Sequence, residues 1–175
     1  YLLHLDSATG KVKKTVDNTV TEYQWAGDLL LSEKTDGRII WYCYDSQANL
    51  ISVTIRGITY FYVRNVQGDI IALVDADGKV VVKYTSDSWG KVIAVTGELA
   101  DTVGVQNPFR YKGYYYDNET GMYYLKSRYY DAEIKRFICA DGYFSTGVGK
   151  HDCNMFLYCN NNPIMNVDVN GYSFI

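Results

Sequence analysis

Apolar and polar positions alternate with a period of two through Ile39 to Tyr44 and Ile51 to Ile55, the pattern of strands with one buried and one wet face. Asp69 to Val74 and Lys79 to Tyr84 are two β-branched runs on either side of Asp75-Ala76-Asp77-Gly78. A polar turn ending in Gly between such runs predicts an antiparallel hairpin. The same logic predicts a second hairpin, Gly113 to Tyr116 with Met122 to Leu125, around Asp117-Asn118-Glu119-Thr120-Gly121. Helical periodicity is thin: Thr96 to Gln106 and Asp131 to Arg136 each read as one helical turn at most.

The alternation is organised into imperfect repeats. Aromatic groups followed by an Asp or Asn turn and a Gly recur at Tyr23-Gln24-Trp25, Trp41-Tyr42-Cys43-Tyr44-Asp45, Tyr60-Phe61-Tyr62 and Tyr84 with Trp89-Gly90. Their first aromatic residues stand about 18 to 24 residues apart, the length of a hairpin with its connections. One hairpin cannot bury its aromatic face, but a stack of them can, and stacking also pairs the open edges. The expected fold class is therefore all-β, a spiral of stacked antiparallel β-hairpins.

Composition sharpens this picture. Eighteen Tyr against two Pro describe a wide, half-buried β surface, because the Tyr ring is apolar and its tip polar. The tyrosines are expected to line the packed face. A net charge of -3 arises from singly scattered ionic residues, so no basic stripe is available to track phosphates and nucleic acid is not an expected partner. The sequence contains no run of 18 apolar residues, so no membrane span is expected, and no signal-peptide order at the start. It begins at Tyr1, in what reads as mid-repeat, so a piece of a longer protein is expected. Cys43, Cys139, Cys153 and Cys159 form no CxxC pair, and His151, Cys153 and Cys159 match no common zinc spacing. Isolated, mostly buried thiols are expected, with no metal and no cofactor; a single disulfide is open if the protein is exported.

The stretch from Asn107 to Asp141 is the most distinctive. Asn107-Pro108-Phe109-Arg110-Tyr111, Gly113-Tyr114-Tyr115-Tyr116-Asp117, Thr120-Gly121-Met122-Tyr123-Tyr124-Leu125, Ser127-Arg128-Tyr129-Tyr130-Asp131 and Arg136-Phe137 resemble the RHS-repeat-associated core domain of the RHS/YD-repeat proteins. Tyr44-Asp45 and Tyr116-Asp117 are similar to the dipeptide that names the YD repeat. The resemblance covers nearly the whole chain and is weakest over residues 1 to 22. It implies YD-repeat hairpins over 1–106, a partial shell, and a core domain over 107–175 that curls inward as a plug. It also implies a secreted or surface-displayed bacterial protein of the polymorphic-toxin type. Its partners would be further YD repeats upstream and its own variable C-terminal toxin or cargo segment, enclosed or presented by the shell. A chain of 175 residues holds only a few turns of such a spiral and would not enclose a large cargo alone. The rival reading is a carbohydrate-binding or adhesive surface module, with surface glycans stacked on exposed tyrosines.

The family resemblance also implies chemistry. Its core ends in two Asp-Pro-x-Gly motifs around an Asn-Asn-Pro segment, and the two aspartates act as an aspartic-type self-cleaving protease that cuts just after the second motif. Here Asn161-Asn162-Pro163 is present, Asp141 opens Asp141-Gly142-Tyr143-Phe144, and Asp168 opens Asp168-Val169-Asn170-Gly171-Tyr172. Both aspartates are kept and both prolines are missing, and the first motif also lacks its Gly. Cleavage would fall near Tyr172. Two close carboxylates cannot both ionise, so one keeps a proton as acid while the other activates water. The alternative is that each Asp caps a turn. By the same resemblance Arg136 is a supporting cation near the aspartates; otherwise it pairs with Asp131 or Glu133. No GxSxG elbow or Gly-rich phosphate loop competes, and His4 and His151 stand in featureless surroundings.

Overall fold

A computed structural model describes residues 2–6, 10–141, 154–168 and 170–172. Ten strands follow one another in space in the order of the sequence, every neighbouring pair antiparallel: β1 (Leu2–Asp6), β2 (Gly10–Val16), β3 (Thr19–Ala26), β4 (Leu29–Thr35), β5 (Arg38–Tyr44), β6 (Leu50–Ile55), β7 (Ile58–Arg64), β8 (Ile70–Val74), β9 (Val80–Ser86) and β10 (Val92–Thr96). This sheet is the wall. A short π-helical turn, Ala100–Gly104, and a 3-10 turn, Tyr111–Gly113, lead to a second sheet of β11 (Tyr115–Asp117), β12 (Met122–Tyr124), β13 (Tyr129–Asp131) and β14 (Arg136–Phe137). The all-β spiral of hairpins expected from the sequence is what the chain forms.

Two kinds of turn recur along the wall. Asp17-Asn18, Asp36-Gly37 and Arg56-Gly57 are two-residue reversals in which both residues have positive φ, for example 49° and 77° at Asp36-Gly37, the geometry that matches strand twist. Four other turns begin on an Asx residue, whereas in Gly27-Asp28, between β3 and β4, only Gly27 has positive φ. Oδ1 of Asp45, Asn65, Asp75 and Asp87 each accepts two backbone amides, two and four residues on, at 2.8–3.0 Å. The side chain thereby replaces the backbone partner that the reversal removes.

One face of the wall packs on the core. Tyr42 is buried in β5 while its neighbours Trp41 and Cys43 are exposed, as period two requires. Tyr23, Leu30, Tyr42, Val53, Tyr60, Leu73, Val82 and Tyr84 from the wall join Phe109, Tyr115 and Tyr124 from the core in one apolar cluster. The core sheet has a second buried face. Tyr123, Tyr130 and Phe137 stand in cross-strand register and pack with Tyr114 and Tyr158, with Tyr130 stacked on Tyr158 at 3.9 Å between ring centroids. Tyr115, Tyr124 and Tyr129 share the opposite register row, so alternate tyrosines serve the two clusters.

Polar anchors fix the core against the wall. The fully buried Asn107 accepts the Tyr62 hydroxyl at 2.7 Å and donates to Tyr84 Oη at 3.1 Å and the Phe109 carbonyl at 2.8 Å. The Arg110 guanidinium lies 4.4 Å from the Tyr116 ring centre and donates to Asn118 Oδ1.

Three expectations need correction. Asp131 to Arg136 holds no helix: Asp131 Oδ1 accepts the Glu133 amide at 2.8 Å and the chain reverses directly from β13 into β14, the Asx side chain favouring a turn over helix. Gly113 belongs to the 3-10 turn, and the strand starts two residues later. Cys43 and Cys139 are exposed, against the expectation of mostly buried thiols, because Cys43 falls on the outward row of β5; Cys159 is buried, and all three are free. His151 and Cys153 lie outside the described residues, among which no metal-holding cluster of His, Cys, Asp and Glu occurs.

Candidate functional site

The end of the described chain is tied to the edge of the core sheet. Residues 154–158 run beside β14, with Arg136 and Leu157 forming a bridge and Asp141 donating its amide to the Met155 carbonyl at 2.9 Å. Residues 170–172 fold against the β12–β13 turn, where Ser127 Oγ donates to the Asn170 carbonyl at 2.7 Å. Gly171 has φ +78°, and a Cβ there would collide with Ser127 Oγ and the Leu125 carbonyl. Glycine is what allows this close approach.

These contacts bring Asp141 and Asp168 to one guanidinium, that of Arg128. Its Nη2 lies 2.9 Å from Asp141 Oδ2 and 3.7 Å from Asp168 Oδ2. Its Nη1 donates to the Met155 carbonyl at 3.0 Å, and its Nε donates to the Gly171 carbonyl. The flat face of the group covers the Phe137 ring at 3.6 Å, an arrangement that suits a planar cation and would be lost with Lys. Arg136, by contrast, is exposed and sits across from Asp131 in the β13–β14 register. The cation at the aspartates is Arg128, which the sequence reading left unremarked within the Ser-Arg-Tyr-Tyr-Asp block; its adjacency to the strand tyrosines was the available sign.

Asp168 is the more enclosed acid. Its Oδ1 accepts the Gly171 amide at 2.7 Å and the Asn170 amide at 3.3 Å, so it caps a turn, as the plainer reading expected. Its own amide donates to Tyr114 Oη, which also accepts the Tyr158 hydroxyl. Burial pushes the Asp168 carboxyl above the ordinary carboxylate range; the Gly171 and Asn170 amides and the Arg128 charge oppose this, and the nearby Asp141 charge adds to it. The site thus combines a buried acid biased towards its protonated form, a second carboxylate held by a cation, and a guanidinium on the carbonyl of the Gly171–Tyr172 peptide bond. Such a guanidinium withdraws charge from the carbonyl and stabilises the oxyanion formed when that carbon is attacked. Gly142, Tyr143, Phe144 and Val169 lie outside the described residues.

Two of the clefts among the described residues lie between wall and core. One, of about 560 Å³, is lined by Thr21, Glu33, Thr35, Arg38 and Asn118 among others. The other, of about 470 Å³, has the aromatic residues Trp25, Tyr44, Tyr114 and Tyr124 in its lining, with Asn49 and Arg64. Among the described residues no helix is long and apolar enough to cross a membrane.

Residues 30–164 match the family model described as Teneurin YD-shell. The chain is 39% identical, over 95% of its length, to the tRNA3(Ser)-specific nuclease WapA of Bacillus spizizenii, and 40% identical over the same share to the tRNA nuclease WapA of Bacillus subtilis (strain 168). It spans 7% of each of those proteins. Among solved structures it is similar to the TcdB2-TccC3-Cdc42 crystal structure, with a TM-score of 0.74 at 16% identity, covering 97% of this chain and 9% of that one. The Photorhabdus luminescens Tc holotoxin pore gives the same TM-score and identity, with 8% of that chain covered.

Proposed function

Because this chain belongs to the RHS/YD-repeat family, with the YD-shell fold, we propose that it is the closing segment of a toxin-type shell, residues 1–106 forming wall and residues 107–175 the plug. In this reading the longer protein is secreted or surface-displayed, and the shell encloses or presents the chain that continues beyond Tyr172. The observation that supports it most is the path of the C-terminal residues, which cross the core sheet and meet Arg128, Asp141 and Asp168 at the Gly171–Tyr172 peptide.

The same geometry supports self-cleavage near Tyr172. The protonated acid of the pair donates to the leaving group or the oxyanion while the other carboxylate takes a proton from water. Arg128 holds the carbonyl and keeps the two acids together. The missing prolines leave φ after each Asp less restrained, and the turn is instead fixed by the two amides on Asp168 and the Gly171 fit against Ser127. Intact mass of a chain extended past Ile175 tests this. Wild type should split near Tyr172, and Asp168→Asn should stay whole, since an amide cannot carry the exchanged proton. An uncleaved wild type would leave both aspartates as turn and anchor residues.

A second reading, glycan binding, draws support from the aromatic lining of the 470 Å³ cleft. Wild type should then be retained on a glycan array, and Trp25→Ala, although it also loses the indole donor to the Lys11 carbonyl, should lose retention while staying folded by circular dichroism.

A further inference from the structure

Lys11 and Asp117, one on β2 of the wall and one ending β11 of the core, meet across the boundary between the two sheets. Lys11 Nζ lies 3.0 Å from Asp117 Oδ2, with the Lys11 residue 1% and Asp117 0% exposed. Three tyrosine rings surround the ammonium group, those of Tyr23, Tyr115 and Tyr124, at 4.8, 4.4 and 5.6 Å from their centres. The backbone of Lys11 is held as well, its carbonyl accepting Trp25 Nε1 at 2.6 Å. Asp117 Oδ1 receives Lys14 Nζ at 2.9 Å, and Oδ2 receives the Tyr129 hydroxyl at 3.1 Å. Lys14 in turn pairs with Glu119 at 2.8 Å.

We propose that Lys11 and Asp117 condense to an intramolecular isopeptide bond that ties the wall covalently to the core. The ammonium first passes a proton along the 3.0 Å contact to Asp117 Oδ2, giving an amine and a carboxylic acid. A buried, water-poor pocket favours this neutral pair over the ion pair. The amine lone pair then attacks Asp117 Cγ, forming the N–C bond. Negative charge gathers on Oδ1, where the Lys14 ammonium is already hydrogen-bonded. The second proton leaves nitrogen for Oδ2, the Cγ–Oδ2 bond breaks, and one water departs. No oxidant, reductant or further reactant is needed. Lys14 keeps Glu119 as its counter-charge, so the loss of the Asp117 charge strands no buried cation.

Burial drives the first step against the three tyrosine rings and the Lys14 and Tyr129 donors, which favour the charged forms. Burial pulls the Lys11 ammonium below the ordinary lysine range, with the Lys14 charge acting in the same direction against the opposing pull of Asp117. Reacting atoms need to lie about 3–3.5 Å apart, and a nitrogen in hydrogen-bond contact with a carboxylate oxygen is within one small displacement of that range. The bond would join residues 106 positions apart, so it would bar the core from leaving the wall even when both loosen.

The test is the intact mass of the purified, denatured protein after prolonged incubation at physiological temperature, followed by tryptic mapping. The expected result is a mass lower by one water, no tryptic cut after Lys11, and a branched peptide carrying the Lys11–Asp117 link. Lys11→Arg should retain the full sequence mass while remaining folded by circular dichroism, and Asp117→Ala should do the same if it folds. Full mass in the wild type would overturn the proposal. So would a lost water that fragmentation locates elsewhere, for example as a succinimide at Asp36-Gly37.

Discussion

The wall and the core are both antiparallel sheets, yet they are held in different ways. In the wall each strand pairs with its neighbours in sequence, and the turns between them are closed by their own residues, such as Asp45 with Asn49 and Asp87 with Lys91. In the core the strands are two or three residues long, and their side chains make the long-range connections: Asn107 to Tyr62 and Tyr84, Asp117 to Lys11 and Lys14, and Tyr115 to Glu33. The apolar face of the ten-stranded sheet is buried in one cluster with Phe109, Tyr115 and Tyr124 of the core, and removing that face from water is the main favourable contribution. The comparison teaches that the wall supplies the shape, and the core supplies the burial that makes the shape stable.

The largest effect should come from removing a bond that crosses between the two. Asp117→Ala leaves the buried Lys11 and Lys14 without their shared carboxylate, and about 3–5 kcal/mol should be lost in urea unfolding. A loss below about 1 kcal/mol would show that wall and core are nearly independent. Next comes Tyr115→Ala, which deletes a ring that packs edge-on against Tyr23 and Phe109 and donates to Glu33 Oε2 at 2.8 Å. On the order of 3 kcal/mol is expected. Tyr124→Ala, in the same cluster, should behave alike.

How much of this was legible in the sequence differs between the two regions for the same reason. The hairpins 69–84 and 113–125 could be read because turn chemistry and period two are local. The Asp131–Arg136 reversal was misread because a short polar segment suits either a helical turn or an Asx turn, and only the register of β13 with β14 decides. Lys11 and Lys14 fall in the stretch with the weakest family resemblance, and nothing nearby in sequence announces that Asp117 will cover them. Asp117 itself read as a turn residue. The two aspartates Asp141 and Asp168 were found by motif, whereas Arg128, which joins them, was passed over for the nearer Arg136. Contacts between residues far apart in sequence leave no periodic trace.

A smaller effect should appear in the pH dependence. Burial raises the Glu33 carboxyl, against the hydrogen bonds of Tyr42 and Tyr115 and the charges of Lys11 and Lys14; Asp168 is raised as well. With the folded value above the unfolded one, the native state binds more protons between them. These two groups therefore favour folding below the ordinary carboxylate range and lose that contribution as pH rises through their raised values. Urea midpoints across this range should fall less steeply with pH in Glu33→Gln/Asp168→Asn than in wild type. The smallest change belongs to the wall alone. Gly37→Ala places a side chain at φ +77° in open space, so only backbone strain is added and about 1 kcal/mol is expected.

Native-state hydrogen exchange across the chain tests most directly whether the core is what stabilises the wall. If it is, the amides of Val53, Leu73 and Val82 in the wall and of Tyr123 and Tyr130 in the core will open with one common free energy, and Asp117→Ala will lower all of them together. Wall amides that keep their protection in Asp117→Ala while the core amides lose theirs would contradict the account and make the hairpin sheet a self-sufficient unit.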